Sequence, residues 1–102
     1  MNKLLQVDFP HQGPFGNEMA LQLKELANSI NQEPGIIWKI WTENEQQQEA
    51  GGVYIFESKE TALAYLEMHT ARLNEMGIKN VRGRIFDMNQ ELSQINNGPM
   101  GE

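Results

Sequence analysis

Residues 35–44 read G-I-I-W-K-I-W-T-E-N, and the fold turns on how they are read. A strand with one face in water alternates apolar and polar residues. Here Ile36, Trp38 and Ile40 are expected on one face and Ile37 and Trp41 on the other, with Lys39 as the polar interruption. The segment A-G-G-V-Y-I-F-E at 50–57 has the same character, setting Val53 and Ile55 against Tyr54 and Phe56. The polar run E-N-E-Q-Q-Q-E at 43–49 between them reads as a hairpin tip. Gly51-Gly52 marks either a bulge or a place where another group approaches the backbone closely.

Working outward, K-L-L-Q-V-D-F-P at 3–10 alternates, with Leu5, Val7 and Phe9 on one face and Gln6 and Asp8 on the other, and Pro10 ends the strand. H-Q-G-P-F-G at 11–16 is a loop. Asn17 is the expected N-cap of a helix over 17–32, with Glu18 at the positive end of its dipole. Met19, Leu23, Leu26, Ala27 and Ile30 form its buried stripe. Ser58 caps a second helix whose stripe is Ala62, Leu66 and Leu73, edged by Leu63 and Met76, and Gly77 is its C-terminal stop. N-V-R-G-R-I-F-D-M at 80–88 alternates again, and Leu92 and Ile95 are expected to anchor the C-terminal segment.

The order β-α-β-β-α-β with right-handed crossovers places both helices on one face of a four-stranded antiparallel sheet, a ferredoxin-like α+β layer. The opposite face is then bare, yet it carries Trp, Ile and Phe. An apolar patch of that size calls for cover. Two copies packed sheet to sheet about a two-fold axis supply it, giving a dimeric α+β barrel with ~800–1,000 Å² buried per protomer. The competing cover is the C-terminal tail. A single domain over 1–97 with a flexible tail at 98–102 is expected.

The chain has 102 residues, a net charge of −6 and no cysteine. Disulfides, thiolate metal sites and cysteine nucleophiles are excluded. The acidic balance disfavours nucleic acid. No apolar run is long enough to span a membrane and no signal-peptide pattern is visible, so a cytoplasmic location is expected. The sequence has no metal-ligand spacing, dinucleotide fingerprint, phosphate-binding loop or nucleophile elbow, and no cofactor or metal is expected.

What remains is an aromatic set and two histidines. His69 sits near the centre of the second helix's apolar stripe, with Tyr65 four residues before it and Arg72 three after it. A buried imidazole needs a partner, and it serves either as a structural group bonded to a carbonyl or Tyr54, or as a proton acceptor in a pocket. His11 sits beside Phe15 in a loop that could form the lip of a cavity. Trp38, Tyr54 and His69 are the candidates for lining such a cavity, since Trp and Tyr carry polar tips.

The stretches L-L-Q-V-D-F (4–9), G-P-F-G-N-E-M-A (13–20), S-I-N-Q-E-P-G-I-I-W-K-I-W-T-E (29–43), E-A-G-G-V-Y-I-F (49–56), A-L-A-Y-L-E-M-H-T-A-R-L (62–73) and L-S-Q-I-N (92–96) closely resemble the YdhR-type monooxygenases of bacteria. That family in turn resembles dimeric α+β barrel monooxygenases that oxidise aromatic polyketides without metal or flavin. The resemblance implies a homodimer with one pocket per protomer between sheet and helices, and oxygen insertion into an electron-rich aromatic with O2. Within that frame the residue reading assigns His69 as proton acceptor and Tyr54 as donor to the developing oxyanion. Phe9, Phe15, Trp38, Tyr65 and Phe56 are the expected substrate contacts. A non-catalytic small-molecule-binding or stress-related protein on the same barrel is the alternative, and a related barrel activity such as isomerisation or haem breakdown is a third.

Overall fold

The computed structural model describes residues 1–99. The chain runs β1 (Lys3–Pro10), α1 (Gly16–Ile30), β2 (Ile36–Asn44), β3 (Glu49–Phe56), α2 (Lys59–Glu75), β4 (Arg82–Asp87) and a short α3 (Gln90–Ile95). The four strands form one antiparallel sheet in the order β2-β3-β1-β4. This is the ferredoxin-like arrangement expected from the β-α-β-β-α-β order. Of the tail expected over 98–102, the last three positions lie outside the described residues.

The register sorts every strand residue onto a face. Leu5 pairs with Tyr54 and Ile85, Val7 with Gly52 and Gly83, and Phe9 with Ala50. These positions face the helices and meet Met19 and Ile30 of α1 and Ala62, Tyr65 and Leu73 of α2 in one core. Burying each large side chain contributes about 1.5–3 kcal/mol. Helix α2 packs directly on β1, β3 and β4, whereas α1 stands farther from the sheet. At Gly83 a Cβ would lie 2.3 Å from Leu66 Cδ1, so the missing side chain is what lets α2 come so close to β4.

The other face carries Leu4, Ile55 and Trp38 in one row and Gln6, Val53 and Ile40 in the next, with Phe86 and Arg84 beside them on β4. Ile40 is 54% exposed and Phe86 39%. Both long helices, α1 and α2, pack on the opposite side.

Four local expectations need correction. Ile36 and Trp38 do not share a face. The pairing slips between them, so Ile36 pairs with Phe56 on the helix side while Trp38 pairs with Ile55 on the open side. One extra residue in a strand reverses the alternation beyond it. The bulge therefore lies on β2, whereas Gly51 and Gly52 pair regularly and serve close approach: a Cβ on Gly51 would sit 2.0 Å from the Val7 carbonyl oxygen.

Second, α1 is not capped by Asn17. Its N-cap position is Phe15, which has no side-chain cap, and Glu43 of β2 accepts the Gly16 N–H at 2.8 Å. A carboxylate from another strand thus meets the positive helix end. Third, Leu92 and Ile95 anchor nothing within the described protomer, being 61% and 75% exposed on α3. Fourth, Leu63 and Met76 are exposed, and the inner stripe of α2 is Ala62, Tyr65, His69 and Leu73. The ends of α2 are as expected: Ser58 Oγ accepts the Thr61 N–H, and Gly77 (φ 87°) closes the C-terminus, with the Ile78 N–H reaching the Leu73 carbonyl.

Candidate active site

A cavity of about 610 Å³ lies between the sheet and the helices, under α1 and the C-terminal half of α2. That volume is in the range of small-molecule sites. Phe9, Trp41 and Tyr54 form its sheet wall, and Met19, Leu23 and Leu26 its α1 wall. Loop residues 10–14 and 76–80 ring the remainder, bringing His11 and Lys79 to it.

Lys39 from β2 and His69 from α2 line this space from opposite sides, sheet and helix. The β2 bulge matters here. It sets Lys39 opposite Tyr54 on the helix-facing side, one residue from Trp38 on the other. The Lys39 ammonium lies 3.3 Å from the centre of the Trp41 ring and 4.7 Å from that of Tyr54. Its stem crosses Gly52, where a Cβ would come within 2.7 Å of Lys39 Cε. Burial, aided by the Arg72 charge, lowers the Lys39 pKa to about 7. Among the described residues no Asp or Glu lines the cavity to offset it.

His69 is buried against Tyr65, their rings stacked with centroids 5.1 Å apart. A guanidinium has donors and no acceptor, so Arg72 Nη2 donates to His69 Nδ1 at 2.9 Å. The ring is neutral, because burial first, then the Arg72 and Lys39 charges, lower its pKa to about 3. A neutral ring with Nδ1 accepting carries its hydrogen on Nε2. His69 is therefore a fixed N–H donor and a weak base. Tyr54 and Tyr65 share a hydrogen bond between their hydroxyls at 3.3 Å. Burial raises the pKa of both phenols, so they stay protonated.

The residues expected from the sequence divide into three groups. Phe9, Tyr54 and His69 line the cavity. Tyr65, Phe56 and Phe15 stand behind its lining. Tyr65 stacks on His69, Phe56 is fully buried against Tyr54 and Tyr65, and Phe15 packs edge-on to the His11 ring at 5.1 Å. His11 Nε2 meanwhile donates to the Pro14 carbonyl at 2.9 Å. Trp38 is on the opposite face of the sheet from Tyr54 and does not reach the cavity. Lys39 is the functional candidate the sequence reading missed. Its signal was present: one lysine inside a strand that is otherwise apolar on both faces.

Among the described residues no cluster of three or more His, Asp or Glu is placed to hold a metal ion, and no helix is long and apolar enough to cross a membrane.

The fold and its aromatic-walled cavity belong to a chain that superposes on a solved structure from Deinococcus radiodurans, titled as a "putative antibiotic biosynthesis monooxygenase". The two match with a TM-score of 0.54 over 87% of this chain and 93% of that one, at 13% identity. No curated protein matches the chain significantly. The sequence pattern of the family described as "Putative mono-oxygenase ydhR" matches residues 4–99, and the chain belongs to that family.

Proposed function

We propose that the protein is a cofactor-independent monooxygenase acting on a small aromatic hydroxy compound, and that Lys39 rather than His69 takes the substrate proton. The observation that carries the proposal is the placement of Lys39: a near-neutral amine inside an apolar cavity, clamped by two rings and facing no carboxylate among the described residues. An amine with a pKa of about 7 is well matched to abstract a proton near pH 7. His69, at about 3 with Nδ1 engaged by Arg72, is poorly matched to that task.

In this reading the phenolic proton moves to Lys39 Nζ. The resulting oxyanion is held by the ammonium and by the His69 Nε2–H, both preorganised donors in a largely apolar site. The Tyr54 hydroxyl supports the site from the sheet, and Phe9 and Trp41 hold the flat ring. The electron-rich ring carbon then reacts with O2. For a ring CH2 of the anthrone type, the carbon gains one oxygen atom and loses two hydrogens, and the second oxygen leaves as water. The substrate supplies all the electrons.

The working unit in this proposal is a homodimer. The open sheet face, where Ile40 and Phe86 are exposed beside the partly buried Trp38 and Val53, supports that reading, because a patch of this kind is rarely left in water. Oxygen-electrode assays with anthrone test the function. The expected result is protein-dependent uptake of one O2 per anthraquinone formed, lost in Lys39→Met. Thermal stabilisation by anthrone without any uptake would instead favour a binding protein.

A further inference from the structure

The charged inventory of the cavity is one-sided, and its other polar lining includes the neutral amides Gln12, Gln22 and Asn80. From β2 it receives Lys39 and from α2 the His69 Nε2–H, with the Arg72 guanidinium behind that ring. From the mouth come His11, whose Nε2 is already spent on Pro14, and Lys79. From β3 comes the Tyr54 phenol, tied to Tyr65. Arg72 Nε is buried with no acceptor among the described residues. Every charged group described here is cationic, none is a carboxylate, and the chain as a whole carries −6. An acidic protein whose cavity lining holds cations and no carboxylate among the described residues has built a local reversal of its own field.

We propose that the cavity selects flat aromatic anions, rings bearing an acidic oxygen such as a carboxylate or an acidic enol, and that it takes up a proton as they bind. This names the ligand class for the cavity on which the oxygenase reading rests. The ammonium–oxyanion pair that proton transfer from a neutral phenol would create is the same pair that a preformed anion makes with protonated Lys39. The Lys39 ammonium and the His69 Nε2–H supply the polar contacts, and Trp41 and Phe9 the flat ones.

Proton uptake is a consequence of linkage. In the free protein Lys39 is half protonated near pH 7. An anion beside it favours the charged amine, so binding at pH 7 draws in up to about half a proton. Each unit by which the anion raises that pKa is a factor of ~10 between its affinity for the charged and for the uncharged site. Affinity for the anion therefore falls as pH rises above 7.

Isothermal titration with 1-naphthoate and its neutral isostere 1-naphthamide, at pH 7 in phosphate and in Tris, tests this. Naphthoate is expected to bind at least ~10-fold more tightly. Its apparent enthalpy should differ between the buffers in proportion to about half a proton taken up. Lys39→Met, checked for folding by circular dichroism, should lose both the preference and the uptake. Lys39→Arg, which keeps a permanent charge, should keep the preference and lose the uptake. Equal binding of the two ligands, binding of neither at millimolar concentration, or a preference that survives Lys39→Met would overturn the inference. No oxidation enters the measurement. A protein that binds naphthoate as described yet consumes no O2 would retain the inference and lose the oxygenase reading.

Discussion

Replacing Lys39 by methionine is expected to stabilise the protein below neutral pH and to make its stability less dependent on pH. Desolvation takes the Lys39 pKa from 10.5 in the unfolded chain to about 7 in the fold. The unfolded state thus binds more protons than the native state throughout the interval from about 7 to 10.5. Stability must rise with pH across that window. Below about 7 the native protein carries the buried ammonium at full cost. A difference of 3.5 pKa units corresponds to about 5 kcal/mol at ~1.36 kcal/mol per unit. The cation–π contact with Trp41 offsets this cost by up to ~2 kcal/mol, and methionine forfeits that contact.

A cleaner quantity is the change in the wild-type-minus-variant difference between pH 6 and pH 9, from which constant packing effects cancel. Linkage with those two pKa values gives about 2.7 kcal/mol of relative stability gained by the wild type over that interval. Working no higher than pH 9 also avoids ionisation of the unfolded tyrosines, which would disfavour a fold that keeps Tyr54 protonated. Urea unfolding of both proteins at the two pH values measures it. Parallel pH dependences, differing by less than about 0.5 kcal/mol over the interval, would refute the claim that Lys39 is desolvated, and the catalytic role assigned to it would fall too. A residue that costs stability where it stands is what a functional site predicts.

Other outcomes rest on the same geometry. The pH profile of kcat/KM for anthrone should show an acid limb rising through about 7 as Lys39 loses its proton, and a profile flat from pH 6 to 8 would remove Lys39 as the base. His69→Phe, which keeps the stack on Tyr65 but removes the Nε2–H, is expected to lower kcat/KM by ~10²-fold while leaving that limb in place, as stopped-time assays across pH would reveal. Light scattering after size exclusion should give twice the 11.7 kDa chain mass, and Ile40→Asp on the open sheet face should yield the monomer; a wild-type monomer at micromolar concentration would remove the dimer. Glu43→Ala, which removes the acceptor for the Gly16 N–H at the start of α1, should cost about 1 kcal/mol in urea unfolding. Gly51→Ala should cost about 2–3 kcal/mol or more, since its Cβ would meet the Val7 carbonyl at 2.0 Å and that backbone cannot yield without breaking the β1–β3 ladder.

The sequence by itself determined the order of the four strands and the two long helices and, to within a residue or two, their limits, while the short helix α3 (Gln90–Ile95) was not expected. Those signals are local. Alternation in 3–10, the 3.6-residue stripes of the two helices, Ser58 at one helix start and Gly77 at one helix end act over a few neighbours and survive into the fold unchanged. The double-sided apolar character of β2 and β3 was legible too, and with it the open face. What only the tertiary structure decided lies in cross-strand pairing and burial. Whether Ile36 shares a face with Trp38 depends on a one-residue slip against β3, and that slip is set by which side chains fit between sheet and helices. The slip leaves Trp38 outside the cavity and delivers Lys39 into it. Likewise, no local pattern could say that Glu43 would cap α1, or that Arg72 would fix His69 as a donor. A charge changes its chemistry only once surrounding groups exclude water from it, and those groups come from β2, β3 and α2, which only the folded chain brings together.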